Sequence, residues 1–304
     1  MTTIGMIGLG NMGGRIASRI TGAGIDLLGY DRDAEAIVRC GARAAASARE
    51  VAESSDVVLL SLPDSAVVES VVLGDEGVLA SARDGQLIVD LSTAAPDSTV
   101  RIATALAARG ALYVDAGVSG GAAAAEKGTL TIMAGGAPGS VDLARPHLAP
   151  FASTVYDMGG VGSGHTTKLL NNFLNAVSLS ATAEVMVAGK AAGLDLHRLL
   201  DVINASSGVS FASLNRFPRI VDGDYLEGGL TSGLMMKDVL LYVEHLRELG
   251  VPSLNASAPV ATFGVALARG YGTQISNRVV DAIGDLAGGI RLYDGPAATN
   301  GNDR

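Results

Sequence analysis

The chain has 304 residues, of which 48% are hydrophobic and 17% charged, enough for one large domain or two ordinary ones with a sizeable core. Its net charge of −9 argues against a general affinity for nucleic acid or an anionic membrane surface, but leaves room for a small acidic substrate held by a few local cations. Cys40 is the only cysteine, which excludes an intrachain disulfide and a thiolate metal cluster and fits a reducing, cytoplasmic compartment.

The N-terminal MTTIGMIGLGNMGG is apolar, but it has no basic n-region and is interrupted by glycines, so it reads poorly as a signal peptide. Thr3 to Ile7 reads as a short strand. Gly8-Leu9-Gly10-Asn11-Met12-Gly13 follows at once, and Arg15 to Ala23 then reads as a helix. Asp26 to Tyr30 forms a second strand that ends at Asp31. A G-x-G-x-x-G turn between strand and helix, with an acid beyond, is the pattern of a dinucleotide site. Gly8 permits the tight turn, Gly10 lets backbone approach a pyrophosphate, and Gly13 lets helix and strand pack closely. The helix N-terminus faces the phosphates. Asp31 stands 18 residues after Gly13, where a carboxylate meets the adenosine ribose. That acid favours NAD, because it accepts ribose hydroxyls and repels a 2′-phosphate. Arg32 can pair with such a phosphate and keeps NADP open.

The alternation continues. Val57 to Leu62 and Gln86 to Leu91 are near-continuous apolar runs, as expected for a parallel sheet covered on both faces. Ligands in such sheets sit beyond the carboxyl ends of the strands, which places Leu62, Pro63, Ser92 and Thr93 along a cofactor cleft. The helix Asp97 to Arg109 intervenes, and Leu112 to Ala116, Leu130 to Gly135 and Thr154 to Asp157 add strands.

After Gly164 the pattern becomes helical. Thr167 to Ala192 carries only Lys168, Glu184 and Lys190 as charges, so it reads as a long helix buried in a core. The asparagines and Glu184 within its apolar stretch are costly in hydrocarbon and argue against a membrane span. Leu196 to Asn204, Leu234 to Leu249 and Pro259 to Arg269 also read as helices. The expected organisation is a dinucleotide-binding α/β domain over residues 1–162 and an all-helical domain over 163–293. Residues 294–304 form a polar tail expected to be disordered.

Lys168 and Asn172 are four apart and share a helix face, with Asn171 and Asn175 flanking it. Polar groups on a buried helix must hydrogen-bond or line a cleft. A desolvated lysine has a lowered pKa and can exchange protons near neutrality. The alternative is a lysine that snorkels from a helix start. No metal-ligand cluster is visible. His147, His165, His197 and His245 are scattered and read as surface or capping residues, with His165 close to Lys168. Phe211, Tyr225 and Arg216 read as packing or surface residues.

Four ordered motifs carry a resemblance over nearly the whole chain, from Thr3 to about Leu286. They are GLGNMG at Gly8, DAGVSGGAAAAEKGTLTIMAGG from Asp115 to Gly136, GGVGSGHTTKLLNN from Gly159 to Asn172, and Met236-Lys237-Asp238. Together they resemble the β-hydroxyacid dehydrogenase family, which includes 3-hydroxyisobutyrate dehydrogenase and tartronate semialdehyde reductase. The resemblance implies a Rossmann-type, mostly parallel sheet domain followed by a helical domain, an active site between them, and a homo-oligomer, dimer or tetramer. It implies that Lys168 is the catalytic lysine and that Asn172 helps to hold substrate and lysine. Ser119, Gly120 and Gly121 match the segment that binds the substrate carboxylate, Lys237 and Asp238 a substrate-side pair, and Thr93 a residue near the nicotinamide. The expected reaction is hydride transfer between NAD or NADP and a small β-hydroxy acid or its semialdehyde, of the 3-hydroxyisobutyrate or 2-hydroxy-3-oxopropanoate kind. A related imine reductase usually lacks lysine at that position, and a non-catalytic dinucleotide-binding protein would need none of these side chains.

The chain departs from the family in three places. Many members have proline where Gly117 stands and glycine where Ala124 stands, and an aromatic is common where Leu230 stands. The first change is expected to loosen the loop before Ser119, and the second to add a methyl to the substrate loop.

Overall fold

The computed structural model describes residues 2–295. The chain divides into two compact units, the first ending at Leu169 and the second beginning at Leu170. The division falls inside the helix Ser163–Ala191. The tail expected to be disordered lies, from residue 296 on, outside the described residues.

The first unit is built on one eight-stranded sheet. Its strands are β1 (Ile4–Ile7), β2 (Leu27–Tyr30), β3 (Arg43–Ala44), β4 (Val57–Leu60), β5 (Leu87–Asp90), β6 (Leu112–Ser119), β7 (Leu130–Gly136) and β8 (Ala152–Asp157). They lie in the order β3-β2-β1-β4-β5-β6-β7-β8. β1 to β6 run parallel, β7 turns antiparallel to β6, and β8 runs parallel to β7. The apolar runs explain the parallel core. Along β4, Val57 and Leu59 enter one hydrophobic cluster while Val58 and Leu60 enter another on the opposite face. Each such buried side chain contributes about 1.5–3 kcal/mol relative to exposure. The winding reverses between β1 and β4, so the loops after those two strands flank a crevice at the carboxyl edge of the sheet. Ser119, at the end of β6, comes to the same edge.

The helix after β1 runs from Asn11 to Gly22, starting earlier than Arg15. Gly13 and Gly14 therefore lie within it, at a propensity penalty of about 1 kcal/mol each. Burial of Ile16, Ala17 and Ile20 along its inner face outweighs that penalty.

The second unit is helical. The 29-residue helix Ser163–Ala191 begins in the first unit and continues into the second. Leu196–Asn204, Phe211–Asn215, Ser232–Glu248, Ser257–Ala268 and Val279–Leu286 follow. Ala176, Leu179, Ala183 and Met186 of the long helix share a core with Phe217, Met235, Phe263 and Val279. Only one side of the long helix is buried in this way: Leu170, Leu174 and Val185 are exposed on another. Among the described residues no helix is long and apolar enough to cross a membrane.

Candidate active site

The glycine turn has the geometry that its spacing predicts. Gly8 has φ +89°, and a Cβ there would lie 2.3 Å from the Ser61 carbonyl oxygen. A Cβ on Gly13 would lie 2.1 Å from the Gly8 carbonyl oxygen, so only glycine lets the helix start this close to the strand. Gly10 differs: its backbone is extended, and a Cβ would meet nothing within 4 Å. Asp31 closes the turn from β2. One of its carboxylate oxygens accepts the Leu9 N–H at 2.6 Å, and the other accepts the Asp33 N–H at 2.9 Å. Arg32 beside it is exposed. Across the crevice, the Ser92 hydroxyl accepts the Leu62 N–H at 2.9 Å and ties the loop after β4 to the loop after β5. Pro63 is exposed and Thr93 part-buried on those loops. Open backbone at Gly10, the helix start at Asn11 and the acid at the end of β2 fit an anionic dinucleotide.

The contrast between the two glycines makes a test. Gly13→Ala is expected to destabilise the fold by about 1–3 kcal/mol through overpacking. Gly10→Ala is expected to leave the melting temperature unchanged while weakening dinucleotide binding about tenfold or more. Thermal melts beside fluorescence titrations with NAD and NADP check both. Wild-type affinity in Gly10→Ala would remove that residue from the phosphate site.

Lys168 sits in the second turn of the long helix and is 8% exposed. Three glycines bring that helix directly onto the strands. A Cβ on Gly117 of β6 would lie 2.6 Å from the Lys168 Cβ. One on Gly135 of β7 would lie 2.9 Å from the Gly164 nitrogen, and one on Gly164 would lie 2.4 Å from the Asp115 carbonyl oxygen. Asp115, fully buried on β6, caps the helix from outside it. Its two oxygens accept the Gly162 N–H at 2.7 Å and the His165 N–H at 2.8 Å, satisfying donors that a helix start leaves open. Helix and β6 then run together, from Asp115 beside His165 to Gly117 beside Lys168. Ser119 follows on the same face of the strand as Gly117. Gly120 (φ +123°) and Gly121 (φ +68°) turn the chain into the short helix Gly121–Lys127.

A second buried layer supports this start. His165 is fully buried, with Nδ1 2.7 Å from the Thr99 hydroxyl and Nε2 3.3 Å from the Asp90 carbonyl oxygen. A carbonyl only accepts, so Nε2–H is the donor in the contact with Asp90, while the Thr99 hydroxyl lies between Nδ1 and the Ala95 carbonyl oxygen, 3.1 Å away. The Asp90 carboxylate accepts the Ser92 N–H at 2.9 Å and the Tyr113 hydroxyl at 2.7 Å. Burial, reinforced by the Asp90 charge, pushes the Tyr113 pKa well above its ordinary value and keeps it a donor. His165 is thus an interior residue, not the surface or capping residue expected. Its position on the inner face of the helix, against β5 and β6, is a long-range property that its neighbours in sequence do not reveal.

Asn172, 4% exposed, gives its amide N–H to a carboxylate oxygen of Asp238 at 2.5 Å. Asp238 is itself buried on the helix Ser232–Glu248, and its other oxygen lies 3.2 Å from the Lys237 ammonium. Because a carboxylate only accepts, this contact turns the Asn172 carbonyl oxygen away from Asp238. Phe173 and Tyr242 stack at 3.8 Å and fix the two helices to each other. Asp238 therefore orients Asn172, a role that the motif Met236-Lys237-Asp238 did not disclose.

The three departures also change meaning. Gly117 lies within β6, opposite Met133, rather than in a loop, and its missing side chain makes room for the Lys168 stem. Ala124 lies in the helix Gly121–Lys127, with its methyl against Gly120, where a Cβ would come within 2.5 Å of it. Leu230 packs against the core of the helical unit. Tyr225 is buried and donates its hydroxyl to Asp281 at 2.7 Å, a packing role, while Phe211 is exposed.

Residues 3–160 match the model for the NAD-binding domain of 6-phosphogluconate dehydrogenase. Residues 162–282 match that for the NAD-binding region of NADP-dependent 3-hydroxyisobutyrate dehydrogenase. A 2-(hydroxymethyl)glutarate dehydrogenase of Eubacterium barkeri is 34% identical over 94% of this chain and 96% of its own. The 3-hydroxyisobutyrate dehydrogenase of Mycobacterium tuberculosis, solved with L-serine, is 30% identical. It superposes with a TM-score of 0.83 over 93% of this chain and 99% of its own. An imine reductase from a Pseudomonas species, at 22% identity and TM-score 0.61 over 93% of this chain and 99% of its own, shares the fold alone. With a glycine turn built for a dinucleotide and a lysine seated against the strand that leads to Ser119, the chain belongs to the β-hydroxyacid dehydrogenases, NAD(P)-dependent enzymes that move a hydride from a β-hydroxy acid or back to its carbonyl form.

Proposed function

We propose that the substrate is a small β-hydroxy acid or its semialdehyde, of the 3-hydroxyisobutyrate or 2-hydroxy-3-oxopropanoate kind, and that Lys168 moves the proton. The observation that carries this reading is the seat of Lys168. Its stem lies against Gly117, two residues before Ser119 on the same strand face, so lysine and the Ser119-Gly120-Gly121 segment are held in register. In oxidation, Lys168 Nζ takes the hydroxyl proton. In reduction, its ammonium gives that proton to the developing alkoxide and offsets its charge. The Ser119 hydroxyl and the N–H groups of Gly120 and Gly121 hold the substrate carboxylate and so select the carbon presented for reaction. Asn172, turned by Asp238, offers its carbonyl oxygen, and Lys237 adds a cation. A bound nicotinamide dinucleotide supplies the hydride acceptor or donor. Gly8 to Gly13, Asp31, Leu62, Pro63 and Thr93 would hold it. The Asp31 carboxylate at the ribose end supports NAD, and the exposed Arg32 beside it leaves NADP open.

Lys168 supports this reading over an imine reductase, which does not require an ammonium to protonate an oxygen. A homo-oligomer, dimer or tetramer, belongs to the same reading. Exposed Leu170, Leu174 and Val185 recur along one side of the long helix, a surface suited to a second copy. Light scattering on Leu174→Glu would report a smaller assembly if that side pairs. A cytoplasmic setting is supported by Cys40, a buried free thiol.

The deciding experiment follows nicotinamide absorbance with NAD or NADP and a panel of β-hydroxy acids and semialdehydes in both directions. Turnover of a panel member names cofactor and substrate class together. Tight dinucleotide binding with no turnover in either direction would overturn the proposed substrate class.

A further inference from the structure

The helix Gly121–Lys127 has little of its own to hold it in place. It is seven residues long, too short to be stable alone, and Ala125 is its single buried residue. Glycines with positive φ bound it, Gly120 and Gly121 at its start and Gly128 at its end. Its support is the helix that begins at the glycine turn. Ala125 belongs to one hydrophobic cluster with Ile16, Ala17 and Ile20 of the helix Asn11–Gly22. Two arginines, one turn apart on that helix, reach across. A Cβ on Gly128 would come within 2.9 Å of the Arg19 guanidinium, and Arg19 Nε–H donates to the Pro150 carbonyl at 3.3 Å. Arg15 Nε–H donates to the Glu126 carboxylate at 2.7 Å.

The Arg15 guanidinium also points back at the turn. Its Nη1 donates to the Asn11 main-chain carbonyl at 2.7 Å and to the Asn11 side-chain carbonyl. Asn11 opens the helix directly after Gly10, at the end that faces the phosphates of a dinucleotide. One rigid, planar fork therefore spans from the phosphate end of one helix to the helix behind Ser119-Gly120-Gly121. All of these groups lie in the first unit. The ion pair adds little to folding, because the Arg15 and Glu126 side chains are 29% and 60% exposed. What it fixes is the position of one helix against the other.

We infer that Arg15 is a positioning residue that carries dinucleotide occupancy of the glycine turn to the segment Ser119-Gly120-Gly121. A dinucleotide that orders Asn11 restricts Arg15 and, through it, Glu126. Less freedom then remains to be lost when the segment receives a carboxylate, and the two ligands bind cooperatively. The last step rests on the reading of Ser119-Gly120-Gly121 as the carboxylate-holding segment.

The test is amide hydrogen exchange on the full chain, with and without a saturating dinucleotide, NAD or NADP, whichever binds more tightly. Residues 120–127 are expected to exchange about fivefold more slowly with the dinucleotide bound, the most that an ion pair this exposed supplies. Arg15→Gln and Glu126→Gln should each remove that slowing, and the double variant should add nothing to either. Arg15→Lys keeps the charge without the fork and should retain only part of it. The melting temperature should stay within about 4 °C of wild type in every variant. Exchange of residues 120–127 that ignores the dinucleotide would overturn the inference. So would faster exchange on binding, which means that the phosphates draw Arg15 away from Glu126, and so would a slowing that survives in Arg15→Gln. With a hydroxy acid that the enzyme turns over, Arg15→Gln should raise KM about fivefold at saturating dinucleotide and hold kcat within about twofold. Lost slowing with an unchanged KM would support the coupling and overturn instead the assignment of the carboxylate to Ser119-Gly120-Gly121.

Discussion

Lys168→Ala is expected to lower kcat by about 10²–10⁴-fold, the usual contribution of a positioned acid or base. Dinucleotide affinity should be retained, because the residues that would hold the cofactor lie on the loops after β1, β2, β4 and β5. The melting temperature should hold within about 10 °C, because the variant removes only the stem that lies beside Gly117. Ethylamine added to the variant should restore part of the rate, since the cut stem leaves room for it. Activity within tenfold of wild type would end the proton-transfer role of this lysine. Lost dinucleotide binding would show instead that it holds the cofactor.

Asp115→Ala is the second large effect expected. Two backbone N–H groups at a buried helix start lose a charged acceptor, at about 1–3 kcal/mol each. At roughly 2–4 °C per kcal/mol for a unit of this size, the melting temperature should fall by about 4–24 °C. The rate should fall as well, because the same two bonds fix the turn that presents Lys168. Asp115→Asn keeps one acceptor but turns an amide N–H toward the other backbone donor, so it should lie between wild type and Ala in both measurements. Calorimetry beside steady-state kinetics separates the effects. An Asp115→Ala enzyme that melts and turns over like wild type would mean that Asp115 does not hold the helix start.

What could be read from the sequence is what repeats locally. The strand, glycine turn, helix and acid from Thr3 to Asp31 lie within one short stretch, and each part constrains the next. Lys168 and Asn172 stood out because helical spacing puts them on one face of an apolar segment. The rest depends on partners far apart in sequence. Asp115 meets Gly162 across 47 positions, and Asn172 meets Asp238 across 66, which no periodicity encodes. His165 is likewise held by Thr99 and Asp115, both distant in sequence. Gly117 was misplaced into a loop because glycine between apolar residues marks a turn as readily as a close approach inside a strand. The helix begins at Asn11 rather than Arg15 because the buried Ile16 and Ile20 offset the low helix propensity of Gly13 and Gly14. One uninterrupted helix carries Lys168 at the end of the first unit and Asn172 at the start of the second.

Gly117, Gly135 and Gly164 bring helix and strands so close that a Cβ at any of them would meet backbone, the Lys168 stem or the Ser163 hydroxyl at under 3 Å. Elsewhere in the core a mutation can err in two directions, by leaving a void or by crowding. At these three positions there is nothing to delete, so every substitution adds volume where a Cβ would already meet a neighbour at under 3 Å. The separation between the strand that ends at Ser119 and the helix that carries Lys168 is therefore already at its minimum. Sequence drift can only widen it, and the spacing between Ser119 and Lys168 becomes a one-sided variable, with this chain at its tight end.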